Sequence, residues 1–130
     1  TEANDSLGTA TAYLTTKFRQ HDQTDGIFTG TLDGVNALCF RDTIKGKDYI
    51  TYIYLKDNSL MELFTAADSS AGSAAGTAIA KLSDFQAEAL NDGFYRITLK
   101  NTSQITSQFL LHSTASAASA DTGTGKEPTS

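Results

Sequence analysis

Apolar residues recur every three or four positions at the start of the chain and then switch to short β-branched and aromatic runs broken by turn residues. In residues 1–20, Leu7, Ala10, Leu14 and Phe18 fall on one stripe of a helix, so this stretch is predicted to form one amphipathic helix. Asn4, Asp5 or Ser6 would cap its start, Lys17 and Arg19 suit its last turn, and Gly26 lies past its end. Gly8 and five threonines lower its intrinsic propensity, so packing must hold it in place.

From Ile27 onward the pattern predicts antiparallel strands over 27–32 and 35–41, joined at Asp33-Gly34. The run YITYIYL at 49–55 is aromatic and β-branched on both faces, which predicts a central strand. The segment 56–59 turns into a strand over 60–64. Residues 66–76, AADSSAGSAAG, carry no large apolar anchor and are expected to form a mobile surface loop. Strands are then expected at 78–81, 84–90, 94–100 and 104–112, with a turn at Asn91-Asp92-Gly93. Residues 114–130 contain no Val, Ile, Leu, Met or aromatic side chain, so 1–113 is expected to be one domain followed by a disordered polar tail. Together these give an α+β class: an N-terminal helix packed on one antiparallel meander sheet of about six or seven strands.

Length and charge narrow the function more than the fold. With 130 residues, 39% of them apolar, one domain can bury roughly two-thirds of its surface. Ten basic against fifteen acidic residues argue against a phosphate-binding surface, so nucleic acid is not an expected partner. No run of 18 apolar residues is present, and any contact with a membrane is expected only through an N-terminal segment absent from this chain.

The residues able to carry chemistry are few. His21, Asp22 and Asp25 are the one local histidine–carboxylate group, with a weak metal or acid–base reading; a polar loop is favoured, because zinc requires three or four ligands. His112 is read as a solvent-facing strand residue. Cys39 sits in VNALCF, where apolar neighbours should raise its thiol pKa and make it a small core hydrophobe. No G-x-S-x-G elbow and no glycine-rich phosphate cradle occurs, so no catalytic residue and no cofactor or metal is expected. Asp57, Asn58 and Asp92 are explained by turns, and Asn101-Thr102-Ser103 matches the short glycosylation sequon.

Tyr49, Tyr52, Tyr54, Phe28, Phe40 and Phe64 are the aromatic residues available for a carbohydrate or peptide platform, although strand aromatics more often pack in a core. Alternation puts Tyr52 and Tyr54 on one face and Tyr49 and Ile53 on the other. One face is expected under the helix, and Tyr52 and Tyr54 mark the candidate partner face.

The succession TAYLTTKFRQ, GTLDGVNALCF, DYITYIYLKDNSLMELF and LSDFQAEALNDGFYRITLKN resembles an uncharacterised Gram-positive pilin-like domain family. It is also similar to minor pseudopilins of competence and type II secretion systems. The resemblance implies a structural, non-enzymatic subunit of a cell-surface assembly whose partners are other pilin-like subunits. It also implies a helix stripe of Leu7, Ala10, Leu14 and Phe18 on the sheet, and an anchor in a preceding apolar segment. The prepilin cleavage motif and apolar half-helix of that pattern are not in this chain. The alternative is an extracellular carbohydrate- or peptide-binding module.

Overall fold

A computed structural model describes residues 2–21 and 26–113, with side chains from Ser6 onward. Helix α1 (Glu2–His21) leads into eight strands: β1 (Ile27–Leu32), β2 (Val35–Ile44), β3 (Lys47–Lys56), β4 (Ser59–Ala66), β5 (Thr77–Lys81), β6 (Asp84–Ala89), β7 (Phe94–Lys100) and β8 (Thr106–His112). The α+β class is as the sequence predicts. The single sheet of six or seven strands is not: the eight strands divide into a five-stranded sheet, β1-β2-β3-β4-β5, and a three-stranded sheet, β6-β7-β8. Each sheet is an uninterrupted antiparallel meander, so only Leu82 and Ser83 separate the two.

Three of the hairpins are closed by two-residue turns in the left-handed region, at Asp33-Gly34, Lys45-Gly46 and Asp57-Asn58. Paired positive φ angles match the right-handed twist of the flanking strands, and Asp, Asn and Gly tolerate them best. The Lys45-Gly46 turn lengthens the second and third strands beyond their predicted ends, to Ile44 and from Lys47. At the last hairpin, Gln104 takes φ 67°, which delays β8 to Thr106.

Alternation along the strands gives the five-stranded sheet two buried faces. The inner face presents Ile27, Leu38, Phe40, Ile53 and Leu60 to the helix and to Leu82, Phe85, Tyr95, Ile97 and Leu99 of the second sheet. Ala10, Leu14 and Phe18 of the helix stripe are buried in this core, and Leu7 packs against it half-buried. Burying Leu14 and Phe18 yields roughly 1.5–3 kcal/mol each, which holds a helix of poor propensity. Phe18 meets Phe40 and Tyr95 edge-on, with ring centroids 6.0 and 5.2 Å apart. Thr51 lies in the same layer with its Oγ1 buried and without a hydrogen-bond partner.

The outer face carries Leu32, Ala37, Cys39, Ile50, Tyr54 and Leu63, backed by Phe28, Val35, Tyr52, Met61 and Ala71. The expected tail, 114–130, and the loop residues Asp22 and Asp25 lie outside the described residues.

Candidate functional site

The residues expected to form a partner face do not lie open together. Tyr54 is fully buried, and Tyr52 is half-buried. The cause is the segment 67–76, expected to be a mobile loop, which instead folds across the outer face. Its Ser73 N–H donates to Asp33 Oδ2 at 2.6 Å, and Tyr54 Oη donates to Ser73 O at 2.6 Å. Tyr54 therefore serves as a tether for main chain and is closed to a partner, which corrects the reading from alternation alone.

Two glycines make this seat possible. A Cβ on Gly76 would fall 2.1 Å from Tyr54 Oη, and one on Gly72 would fall 2.7 Å from Asp33 Oδ2. Burial pushes the Tyr54 hydroxyl above its ordinary pKa, partly offset by a bond from the Gly76 backbone. The Ser73 backbone N–H holds the Asp33 carboxyl below its ordinary range, helped by the Ser73 side chain and by Lys56.

The exposed aromatic surface is on the opposite, inner face, beyond the end of the helix. Tyr49 and Phe64 are neighbours on β3 and β4, stacked with centroids 5.2 Å apart and planes 9° from parallel. Phe64 is 51% exposed and Ile44, on the adjoining hairpin, is 47% exposed. Lys47 Nζ stands 5.9 Å from the Tyr49 ring centre. The strand register brings Ile44, Tyr49 and Phe64 to this one face. Phe40, the other inner-face aromatic of the sequence reading, is fully buried.

A polar seam fixes the helix flank between these features. Tyr13 Oη donates to Glu62 Oε2 at 2.5 Å, and Lys17 Nζ lies 3.6 Å from the same oxygen. Burial, then the Glu62 bond and charge, pushes the Tyr13 hydroxyl well above its ordinary pKa. His21 is buried at the helix end, with Nδ1 2.9 Å from Lys17 O and Nε2 3.0 Å from Asp42 Oδ2. Its ring lies 4.9 Å from that of Phe40. Asp42 is thus the carboxylate that meets His21, and a spacing search around His21 misses it because the strand supplies it from 21 residues away.

The remaining chemical candidates are absorbed by structure. Cys39 is fully buried, and desolvation pushes its thiol up to about 11, which leaves almost no thiolate near neutrality. His112 stacks on Phe94 at 4.3 Å and sits 3.1 Å from Asp92 O. Asn101 is fully buried, and its Oδ1 accepts from the Ser103 and Ile105 N–H groups at 2.9 Å each. That turn closes the sequon to a glycosylating enzyme once the domain has folded. Among the described residues no group of three or more His, Cys, Asp or Glu side chains is placed to hold a metal ion. No described helix is long and apolar enough to cross a membrane.

An open groove of about 490 Å³ runs along β6 between Val35, Leu55 and Phe85. A neighbouring one of about 460 Å³ lies between Thr29–Thr31 and Ala87–Ala89. The second groove carries Glu88, whose carboxylate accepts from Arg96 at 2.7 Å.

The family described as Domain of unknown function (DUF4860) matches residues 5–102, three-quarters of the chain, and the chain belongs to that family. The match spans the helix, the five-stranded sheet and the first two strands of the second sheet. No curated protein and no solved structure matches it.

Proposed function

We propose that this member of the family is a structural, non-enzymatic subunit of a cell-surface pilus-like or pseudopilus assembly. Its partners are other pilin-like subunits, and an apolar segment upstream of Thr1 anchors it. The observation that carries this reading is the seating of α1. From Leu7 to Phe18 the helix stripe is seated on the core between the two sheets, and Lys17 and His21 near its end pair with Glu62 and Asp42. A helix held at its C-terminal half and continued upstream would act as a rigid rod joining a globular head to an assembly. The resemblance of TAYLTTKFRQ and DYITYIYLKDNSLMELF to the pilin-like pattern points the same way.

The test is the coding sequence preceding Thr1, followed by cell fractionation of the full-length protein. The reading requires about 20 consecutive apolar residues directly upstream and recovery in the membrane or surface fraction. A polar upstream sequence with recovery in the cytosol would overturn it.

The ledge of Tyr49, Phe64 and Ile44 favours a second reading, an extracellular carbohydrate- or peptide-binding module. Saturation-transfer NMR against panels of oligosaccharides and of peptides separates the two. Signals transferred from these rings would favour the binding module, and their absence from both panels would remove it.

A further inference from the structure

On the outer face of the five-stranded sheet, Tyr54 is met by a ten-residue segment, 67–76, whose largest side chain is aspartate. Where it leaves β4, Ala67 N–H donates to Asp48 O at 2.9 Å, and its other ties to the sheet converge on Asp33 and Tyr54. Both main-chain groups of Ser73 are engaged by side chains, the N–H by Asp33 and the carbonyl by Tyr54. Of the strap's own residues, Ala71 alone packs on the outer-face cluster and Ser73 alone is buried. The 3-10 turn at Ser73–Ala75 is stabilised locally by Ala75 N–H donating to Gly72 O at 3.0 Å. Both ends are fixed, because β4 and β5 are paired neighbours in the same sheet.

We propose that residues 67–76 form a hinged strap that opens and closes as one unit about Ala66 and Thr77. The Asp33–Ser73–Tyr54 pair of bonds is its latch, and opening uncovers Tyr54 and the apolar outer face without unfolding the domain. Local opening is cheapest where few apolar contacts are lost and the flanking elements keep theirs. The strap satisfies both conditions, since the main core of helix and facing sheets contains none of its residues. The Ser73 N–H and carbonyl lie in adjacent peptide groups, so lifting this one residue away from the sheet breaks both bonds. Gly72 and Gly76 belong to the same device: each lies against a latch side chain at a distance that no Cβ allows. The strap opens in this way whether or not the chain assembles with other subunits.

Residue-resolved amide hydrogen exchange on the full 130-residue chain tests this, with wild type compared to Asp33→Asn, Tyr54→Phe and Gly76→Ala. The Ser73 and Gly76 amides, which face Asp33 and Tyr54, should share one opening rate in the wild type. Each substitution should accelerate both together by roughly tenfold or more, the loss expected for one buried hydrogen bond. The amides of Leu38 and Ile53 in the central strands should keep wild-type protection. Gly76→Ala removes no hydrogen-bonding group and acts by the clash of its Cβ with Tyr54 Oη, so it tests strap seating without deleting a donor or acceptor.

Three results would overturn the proposal. In one, Asp33→Asn changes the Ser73 amide alone. In another, the strap amides exchange at unrelated rates. In the third, they exchange only at the rate of global unfolding, read from Leu38 and Ile53. Tyr54→Phe keeps the ring packing and preserves the test if Asp33→Asn compromises folding.

Discussion

The two faces of the five-stranded sheet are buried by different means. The inner face is covered by side chains: Leu14 and Phe18 from the helix and Ile97 and Leu99 from the second sheet fill it. The outer face packs its own side chains together, and around Tyr54 it is met by main chain, brought in by hydrogen bonds at Ser73 and admitted by two glycines. Side-chain burial spreads its stabilisation over many contacts, each of which costs a little to lose. Main-chain capture concentrates it, so one substitution can release a whole segment. The inner face should therefore govern global stability and the outer face local opening.

The largest effect is expected from Leu14→Ala, which empties a fully buried site under the helix. It should lower the unfolding free energy by about 2–5 kcal/mol in urea denaturation. A loss below about 1 kcal/mol would show that the helix is only loosely seated. Tyr54→Phe comes next: it should lower the free energy of strap opening by about 1–3 kcal/mol, read from exchange of the Ser73 amide, because the Ser73 carbonyl loses its buried donor. If that cost appears as global destabilisation without faster strap exchange, the contrast between the faces fails.

Thr51→Val should run in the opposite direction. It removes an unpartnered buried hydroxyl at constant shape and is expected to raise stability by about 1 kcal/mol in the same measurement. A loss of stability would mean that the hydroxyl has a partner.

Acid should act on the outer face first. The Ser73 N–H holds the Asp33 carboxyl below its ordinary range, so the folded pKa is lower than the unfolded one. Its contribution is then fully present above the unfolded value of about 4 and is lost as pH falls through the folded value. Between pH 5 and 7 the Ser73 amide should keep constant protection once intrinsic exchange is corrected. Below about pH 4 it should lose protection before Leu38 and Ile53 do. Equal loss at all three sites would contradict this. The smallest effect is expected from Phe64→Ser on the exposed ledge, within about 0.5 kcal/mol of wild type by thermal melting.

The helix and the strands were readable because their signals are local. Leu7, Ala10, Leu14 and Phe18 form a stripe within 12 residues, and Asp33-Gly34 and Asp57-Asn58 carry the turn chemistry at the turn itself. Lys45-Gly46 was missed because lysine gives no turn signal, although its glycine does. Tyr54 shares a face with Tyr52 as alternation predicts, but its burial is not legible in the sequence. Alternation assigns a side chain to a face but does not report what lies above that face, and the small residues of 67–76 look the same whether solvated or docked. Asp42 on β2 meets His21 from 21 residues away, a pairing that the neighbourhood of His21 in the sequence does not signal.

The order of elements, their periodicity and most turn positions follow from the sequence alone, because backbone preference and polar patterning act over a few residues. The division into two sheets, the pairing of His21 with Asp42, the sealing of Asn101 and the latching of Ser73 to Asp33 across 40 residues were settled only by the tertiary structure. These contacts depend on groups that chain closure brings within about 3 Å of one another, a distance that no local pattern encodes.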